Sequence, residues 1–309
     1  MRVFVTGASG FIGTAVVVEL LAHGHTALGL ARSAASAATV AALGAEALQG
    51  ALEDLELLAR AARECDGVIH LAFNHDDFAP AKYAESCAAE EAAIRAMGKE
   101  LLGTSKPMVI TNGIAMLMKR PDEAASEEAE EVPGFPRTGA LAARELAAQG
   151  VRCSCVRLPP SVHGAGDKGF VPMLGAVAKA KGVSAFVGDG ANRWPATHRL
   201  DAAAAYRLAL ERGEPATYHA VAEEGVPFKA IAEAMAERLG LPSRAVAAEA
   251  AVEHFGPFFA MFAARDCAAS SAWTRATLGW APSGPSLVDD IKQHYFADAA
   301  AAAAAGKQE

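Results

Sequence analysis

The stretch VTGASGFIG, residues 5–13, constrains this chain more than any other, because it sets glycines at 7, 10 and 13 directly after an apolar run. Gly7 permits a tight turn, Gly10 lets the backbone approach a pyrophosphate, and Gly13 lets a following helix pack close to a sheet. The next segment, GTAVVVELLAHGH, has helical period. A helix starting there offers unpaired N–H groups and the positive end of its dipole to phosphates. The spacing predicts a strand–turn–helix unit that cradles a dinucleotide, with Ser9, Phe11 and Ile12 completing the turn.

Strand and helix signals alternate through the first half of the 309 residues. TALGLAR, GVIHLAF (67–73), PMVITNG (107–113) and VRCSCVRLP (151–159) read as strands with helical segments between them. Such alternation implies an α/β fold, a doubly wound parallel sheet with right-handed crossovers. Beyond about Pro159 the pattern loosens. Residues 1–160 are read as the dinucleotide-binding domain, with segments near 188–210 returning to it. Residues 161–300 are read as a smaller C-terminal substrate lobe, and 301–309 as a frayed alanine-rich tail. The Glu- and Pro-rich loop 119–136 is expected to be exposed.

The end of the second strand selects the cofactor. An NAD site places Asp or Glu there for the ribose 2′-hydroxyl. Here the chain reads GLARSAASAA, with Arg32 and Ser33 and no acid. A guanidinium and a hydroxyl suit a 2′-phosphate, so the expected cofactor is NADP(H). The net charge of −8 argues against nucleic acid or an anionic membrane as partner. No apolar run is long enough to span a bilayer, and the opening strand is not a signal peptide. Five cysteines without zinc spacing suggest reduced thiols in a cytoplasmic protein and no metal site. Cys153 and Cys155 should share one strand face.

With these residues in hand, the chain resembles the extended short-chain dehydrogenases/reductases, the NAD-dependent epimerase/dehydratase family. TGASGFIG is similar to that family's T-G-x-x-G-x-x-G, and VRLPPSVHGAGDKGFVP to its R-P-x-x-V-Y-G-P stretch. CDGVIHLAF resembles the segment passing beneath the nicotinamide ribose, and TRATLGWAP a late L-G-W-x-P element. The resemblance implies a Rossmann-type fold. It adds Leu52, Leu71, Ala72, Phe73, Pro159 and Pro160 to the expected cofactor contacts. It also exposes a gap. The family's Tyr-x-x-x-Lys falls on Phe135 to Gly139, and a shift of two residues gives Arg137 and Leu141 instead. Neither register supplies a tyrosine or a lysine. The only tyrosines are Tyr83, Tyr206, Tyr218 and Tyr295, all far along the chain.

Replacements are sought at the carboxyl ends of the strands. Asn112 can donate to a carbonyl oxygen as an oxyanion-hole group does, with Thr111 beside it; alternatively both serve turn backbone groups. His163 matches the family's tyrosine in V-Y-G and can deliver a proton. Arg137 can hold an acidic group or the cofactor, or simply face solvent. His198 and Asp201 resemble residues that tie the lobe to the Rossmann unit. HFGPFFAMFAA (254–264) packs the small lobe or lies over the site as a greasy lid, and an apolar pocket suits a small hydrophobic substrate. Helices around 82–102 and 139–149 correspond to those that pair family dimers, so a homodimer is expected. Two functions follow: an NADPH-dependent oxidoreductase reducing a small hydrophobic carbonyl or activated C=C bond with a non-standard active site, or a non-catalytic NADP(H)-binding sensor.

Overall fold

Val3 and Val5 of the first strand enter one apolar core while Phe4 enters another, so this strand is buried on both faces. That is the signature of a central parallel sheet covered by helices on each side. The computed structural model describes residues 1–75 and 79–296. In chain order the elements begin β1 (Arg2–Thr6), α1 (Phe11–Ala22), β2 (Thr26–Ala31), α2 (Ala34–Ala42), β3 (Glu46–Gln49), α3 (Leu55–Glu64) and β4 (Gly67–His70). Then come α4 (Pro80–Lys99), β5 (Pro107–Gly113), α5 (Gly139–Ala148), β6 (Arg152–Leu158), β7 (Ser161–His163), α6 (Phe170–Lys181) and β8 (Ser184–Val187). The remainder is β9 (Arg193–His198), α7 (Arg199–Arg212), β10 (Thr217–His219), β11 (Glu223–Pro227), α8 (Phe228–Leu239), β12 (Ser243–Val246), α9 (Ala251–Ala263), α10 (Ala272–Leu278) and α11 (Leu287–His294).

Seven parallel strands run in the order β10-β6-β5-β4-β1-β2-β3. The order reverses between β1 and β4, and an open α/β sheet holds its ligand at the carboxyl ends beside such a switch. One face packs on α1 and α7 through Val16, Leu20, Tyr206 and Leu210. The other packs on α3, α4 and α5 through Leu58, Ile94, Met97 and Leu146. Cys153 and Cys155 both point into the second core, and burial pushes the Cys155 thiol up to about 12.

The smaller lobe holds a three-stranded sheet, β11-β9-β7, and a parallel pair, β12-β8. The stretch 188–210 divides between the two units: β9 belongs to the small sheet, whereas α7 packs on α1 and the central sheet. Phe255, Phe259 and Phe262 of α9 are buried with Trp194 and Phe228 in the lobe's own core, and Phe170 lies 5.4 Å from Phe259 and from Phe262. This segment therefore packs the lobe. The 119–136 loop is largely exposed, as expected, apart from two residues. Ala125 and Glu127 are buried, because the Arg157 guanidinium of β6 donates to the Glu127 and Ala129 carbonyls and pairs with Glu131 at 2.7 Å. A buried cation needs such acceptors, and the loop supplies them. The proposed tail 301–309 lies outside the described residues. Among the described residues no helix is long and apolar enough to cross a membrane.

Candidate active site

The β1–α1 turn is shaped by close approach. Gly7 has φ +69°, and a Cβ there would lie 2.9 Å from the Ala72 nitrogen beyond β4. At Gly13 a Cβ would fall 2.0 Å from the Gly7 carbonyl oxygen, which no side chain tolerates. Helix α1 then begins at Phe11 with no side-chain cap and no acidic residue in its first turn. Its positive end is thus left for an anion. The guanidinium of Arg199, at the start of α7, sits 5.3 Å from the Phe11 ring. Sequence reasoning missed Arg199, because only the return of α7 to the sheet brings it beside this turn.

Beyond β2, Arg32 and Ser33 are exposed at the same edge, and residues 32–42 contain no acid. Ser33 also has a structural task. Its hydroxyl accepts from the Ser36 N–H at 3.2 Å and closes a capping box at the start of α2. Leu52 follows β3 and packs against the α3 side of the core.

At the end of β4, the Leu71 and Ala72 amides donate to Thr6 Oγ1 at 3.1 and 3.2 Å. Those bonds occupy both lone pairs, so the Thr6 proton goes to His70 Nδ1, 2.8 Å away. The His70 ring therefore carries its hydrogen on Nε2, which is buried with no partner among the described residues. Burial first, and the Arg137 charge second, lower its pKa to about 3 and keep it neutral. Thr6 and His70 were not among the expected site residues, although both lie inside the quoted motifs VTGASGFIG and GVIHLAF.

On β5, Thr111 donates to the His70 carbonyl at 2.8 Å, so the hydrogen of its 2.8 Å bond with Tyr206 comes from the tyrosine. That hydroxyl is committed to the α7 side. Asn112 accepts the Gly113 N–H at 2.8 Å, while its Nδ2 is buried with no partner among the described residues. Val68 and Ile110 face α3, α4 and α5. Two residues on, His70 and Asn112 face the same way, since side chains alternate along a strand. Two buried donors without acceptors among the described residues therefore stand at one edge, where an oxygen of a bound molecule would satisfy them.

Above them Arg137 forms a forked pair with Glu90 of α4, its Nε 2.9 Å from Oε2 and its Nη2 2.5 Å from Oε1. Glu90 is 1% exposed. Burial opposes the Arg137 charge, but the Glu90 charge and hydrogen bonds outweigh it and leave its pKa raised. The guanidinium lies 4.4 Å from the Phe73 ring centroid. Gly139 starts α5 with no room beside it: a Cβ there would meet Ile94 at 3.0 Å and Glu90 at 3.3 Å. The lysine position of the family's dyad is closed by this pair. Tyr83, distant in sequence, has its ring 5.7 Å from Phe73 and 6.0 Å from Phe135. No spacing rule joins Tyr83 and Glu90 to residues 135–139, so the sequence carried no signal for either.

His163 packs 5.5 Å from the His198 ring, beside the Gly164 that abuts Arg199. Its Nδ1 pairs with Asp290 of α11 at 2.7 Å, both side chains are 1% exposed, and Nε2 is buried without a partner. Burial lowers its pKa despite Asp290. No hydrogen bond among the described residues joins it to Asn112 or Arg137. Pro159 and Pro160 link β6 to β7 beneath it. Asp201 accepts from Ser283 and Gly284, and its carbonyl takes the Trp280 indole N–H, which ties the C-terminal segment to α7. No group of three or more His, Cys, Asp or Glu residues is placed to hold a metal among the described residues.

Comparisons agree with this architecture. Residues 3–97 match the model of the NAD dependent epimerase/dehydratase family. An uncharacterized protein of Schizosaccharomyces pombe is 46% identical over 94% of this chain and 98% of its own length. A 2-alkyl-3-oxoalkanoate reductase of Stenotrophomonas maltophilia is 30% identical over 78% of this chain and 77% of its own. In three dimensions, dTDP-glucose 4,6-dehydratase from Streptomyces venezuelae with bound NAD superposes with a TM-score of 0.74, covering 95% of each chain at 21% identity. With its glycine turn pressed on β4 and its sheet reversing beside that turn, the chain belongs to the NAD-dependent epimerase/dehydratase family of extended short-chain dehydrogenases/reductases, oxidoreductase- and epimerase-type enzymes that use a nicotinamide cofactor.

Proposed function

We propose that the protein is an NADPH-dependent reductase of a small hydrophobic carbonyl compound. The observation that carries the cofactor choice is the end of β2, where Arg32 follows the strand and residues 32–42 hold no carboxylate. A carboxylate there would repel a 2′-phosphate, whereas a guanidinium attracts it. Arg199 beside Phe11 serves the pyrophosphate shared by both dinucleotides. Bound in this cradle, the cofactor supplies a hydride. The chain itself binds and orients: Thr6 fixes the Leu71 and Ala72 backbone, and Asn112 and His70 offer donors for oxygen atoms. The 2-alkyl-3-oxoalkanoate reductase relative supports a 3-oxo acyl or similar ketone as substrate class.

Calorimetry with NADPH and NADH, followed by NADPH consumption with 3-oxoalkanoates and aromatic ketones, tests the reading. NADPH should bind at least about 10-fold more tightly, the size of one charge-assisted contact. Equal affinities would overturn the choice. Phe135 and Gly139 favour a second reading, a dinucleotide sensor without turnover. Tight NADPH binding with silence across carbonyl, enone and alcohol substrates would establish it. The reading includes a homodimer through α4 and α5, whose outward face carries Ala84, Ala88 and exposed Leu141 beside an Arg95 that bridges Glu91 and Glu145. Light scattering at micromolar concentration should give twice 31.8 kDa; the monomer mass would refute it.

A further inference from the structure

We propose that Tyr83, carried by α4 rather than by the family's usual helix, is the catalytic acid of this enzyme and protonates the carbonyl oxygen. The assignment rests on the reductase reading above. Tyr83 packs against Phe73, the residue directly after the Leu71–Ala72 backbone that Thr6 pins, and against Phe135, where the resemblance sets the family's tyrosine. A phenol is therefore brought beside that phenylalanine from the neighbouring helix. The other three tyrosines are committed elsewhere. Tyr206 is buried and bonded to Thr111, Tyr218 is buried against Trp273, and Tyr295 donates to Asp167 while accepting from Gly164. Only Tyr83 is partly open to solvent at the carboxyl edge of the sheet.

The groups facing Tyr83 are Arg137, Glu90 and the Cys87 thiol. Burial pushes its pKa up to about 12, with Arg137 pulling the other way. The phenol is thus protonated across the physiological range, which suits an acid rather than a base. It remains a stronger acid than an alkoxide's conjugate alcohol. The step balances: a hydride from NADPH bonds to the carbonyl carbon, the C=O π pair moves to oxygen, and that oxygen takes the Tyr83 proton. The products are an alcohol and NADP+, and water reprotonates the tyrosinate. Arg137, held by Glu90, is the fixed positive charge beside that transient anion, the part a lysine plays in the family's dyad. It acts as a positioning residue.

Tyr83→Phe keeps the ring contacts and removes only the hydroxyl, so its fold should survive, which melting curves check. Its kcat should fall about 10²–10⁴-fold with NADPH affinity unchanged, the range lost with a general acid. An ultraviolet pH titration of the NADP+ complex gives a second readout. One phenolate that forms in the wild type should be missing from Tyr83→Phe. A kcat within about threefold of wild type, or identical titrations, would overturn the assignment while leaving the reductase intact. Loss of activity in His163→Ala alone would move the proton to that histidine. A wild-type protein that binds NADPH yet reduces no carbonyl would overturn the reductase reading and the role of Tyr83 together.

Discussion

The β1–α1 turn and the α4–α5 junction occupy one edge of the same sheet, yet they are assembled in opposite ways. The turn is local: Gly7, Gly10 and Gly13 lie within seven residues, and each spacing has a steric reason visible in the structure. The junction is non-local. Glu90 meets Arg137 across 47 positions, and Tyr83 meets Phe135 across a similar separation. A site held by spacing cannot change without ceasing to work. One held by side-chain pairing can exchange its parts between helices, which is the freedom that the proposed role of Tyr83 uses.

The contrast can be broken most severely at Gly13. Gly13→Val should abolish dinucleotide binding, by about 100-fold or more, because its Cβ falls 2.0 Å from the Gly7 carbonyl; retained binding in calorimetry would show the turn to be as adaptable as the junction. Next, Glu90→Ala strands Arg137 as a buried cation and should cost about 3 kcal/mol in urea unfolding. A loss below about 1 kcal/mol would mean that the pair is solvated and replaceable.

Acid couples the two regions through His70, which is bonded to Thr6 and senses Arg137. Its pKa is lowered to about 3 and that of His219 to about 4, both chiefly by burial. Below about pH 6.5 the unfolded chain takes up protons that the folded chain refuses. Stability should therefore fall as pH drops from about 6.5 to 4, by about 1.4 kcal/mol per pH unit for each histidine. Denaturation midpoints that stay constant between those limits would contradict neutral burial.

Smaller effects separate the two arginines. Arg32→Ala should weaken NADPH about 10-fold and leave NADH alone, while Arg199→Ala should weaken both alike. A cofactor-selective loss at Arg199 would exchange their roles. Ser33→Ala should cost about 1 kcal/mol of stability through the lost cap at α2. If it instead costs NADPH affinity with no change in melting, the hydroxyl belongs to the cofactor rather than to the helix.

Local chemistry explains what could be read from the sequence. The strand expected over 107–113 is β5, Pro107–Gly113, and the glycine spacing located the turn. Both signals are periodicities or backbone constraints confined to a short window. Tyr83, Glu90 and Arg199 lacked such a window, because their meaning comes from the helix that faces them. The anchoring of the otherwise exposed 119–136 loop escaped the sequence for a related reason. Its acidic and proline-rich composition says exposed, but a single buried guanidinium from β6 gathers three of its acceptors. Composition reports what a segment costs to bury, and not whether a partner elsewhere offsets that cost. Matching His163 to a motif position gave no hint of its partner, Asp290, from a helix 127 residues away.

The return of Arg199–His219 to the central sheet makes the small lobe discontinuous. Its strands β7 to β9 precede that excursion, and β11 to α11 follow it. Trp280 reaches back again to the Asp201 carbonyl. No single cut of the polypeptide can release one layer without tearing strands from the other. Evolution can therefore alter the small lobe only piece by piece, since it was never a detachable module.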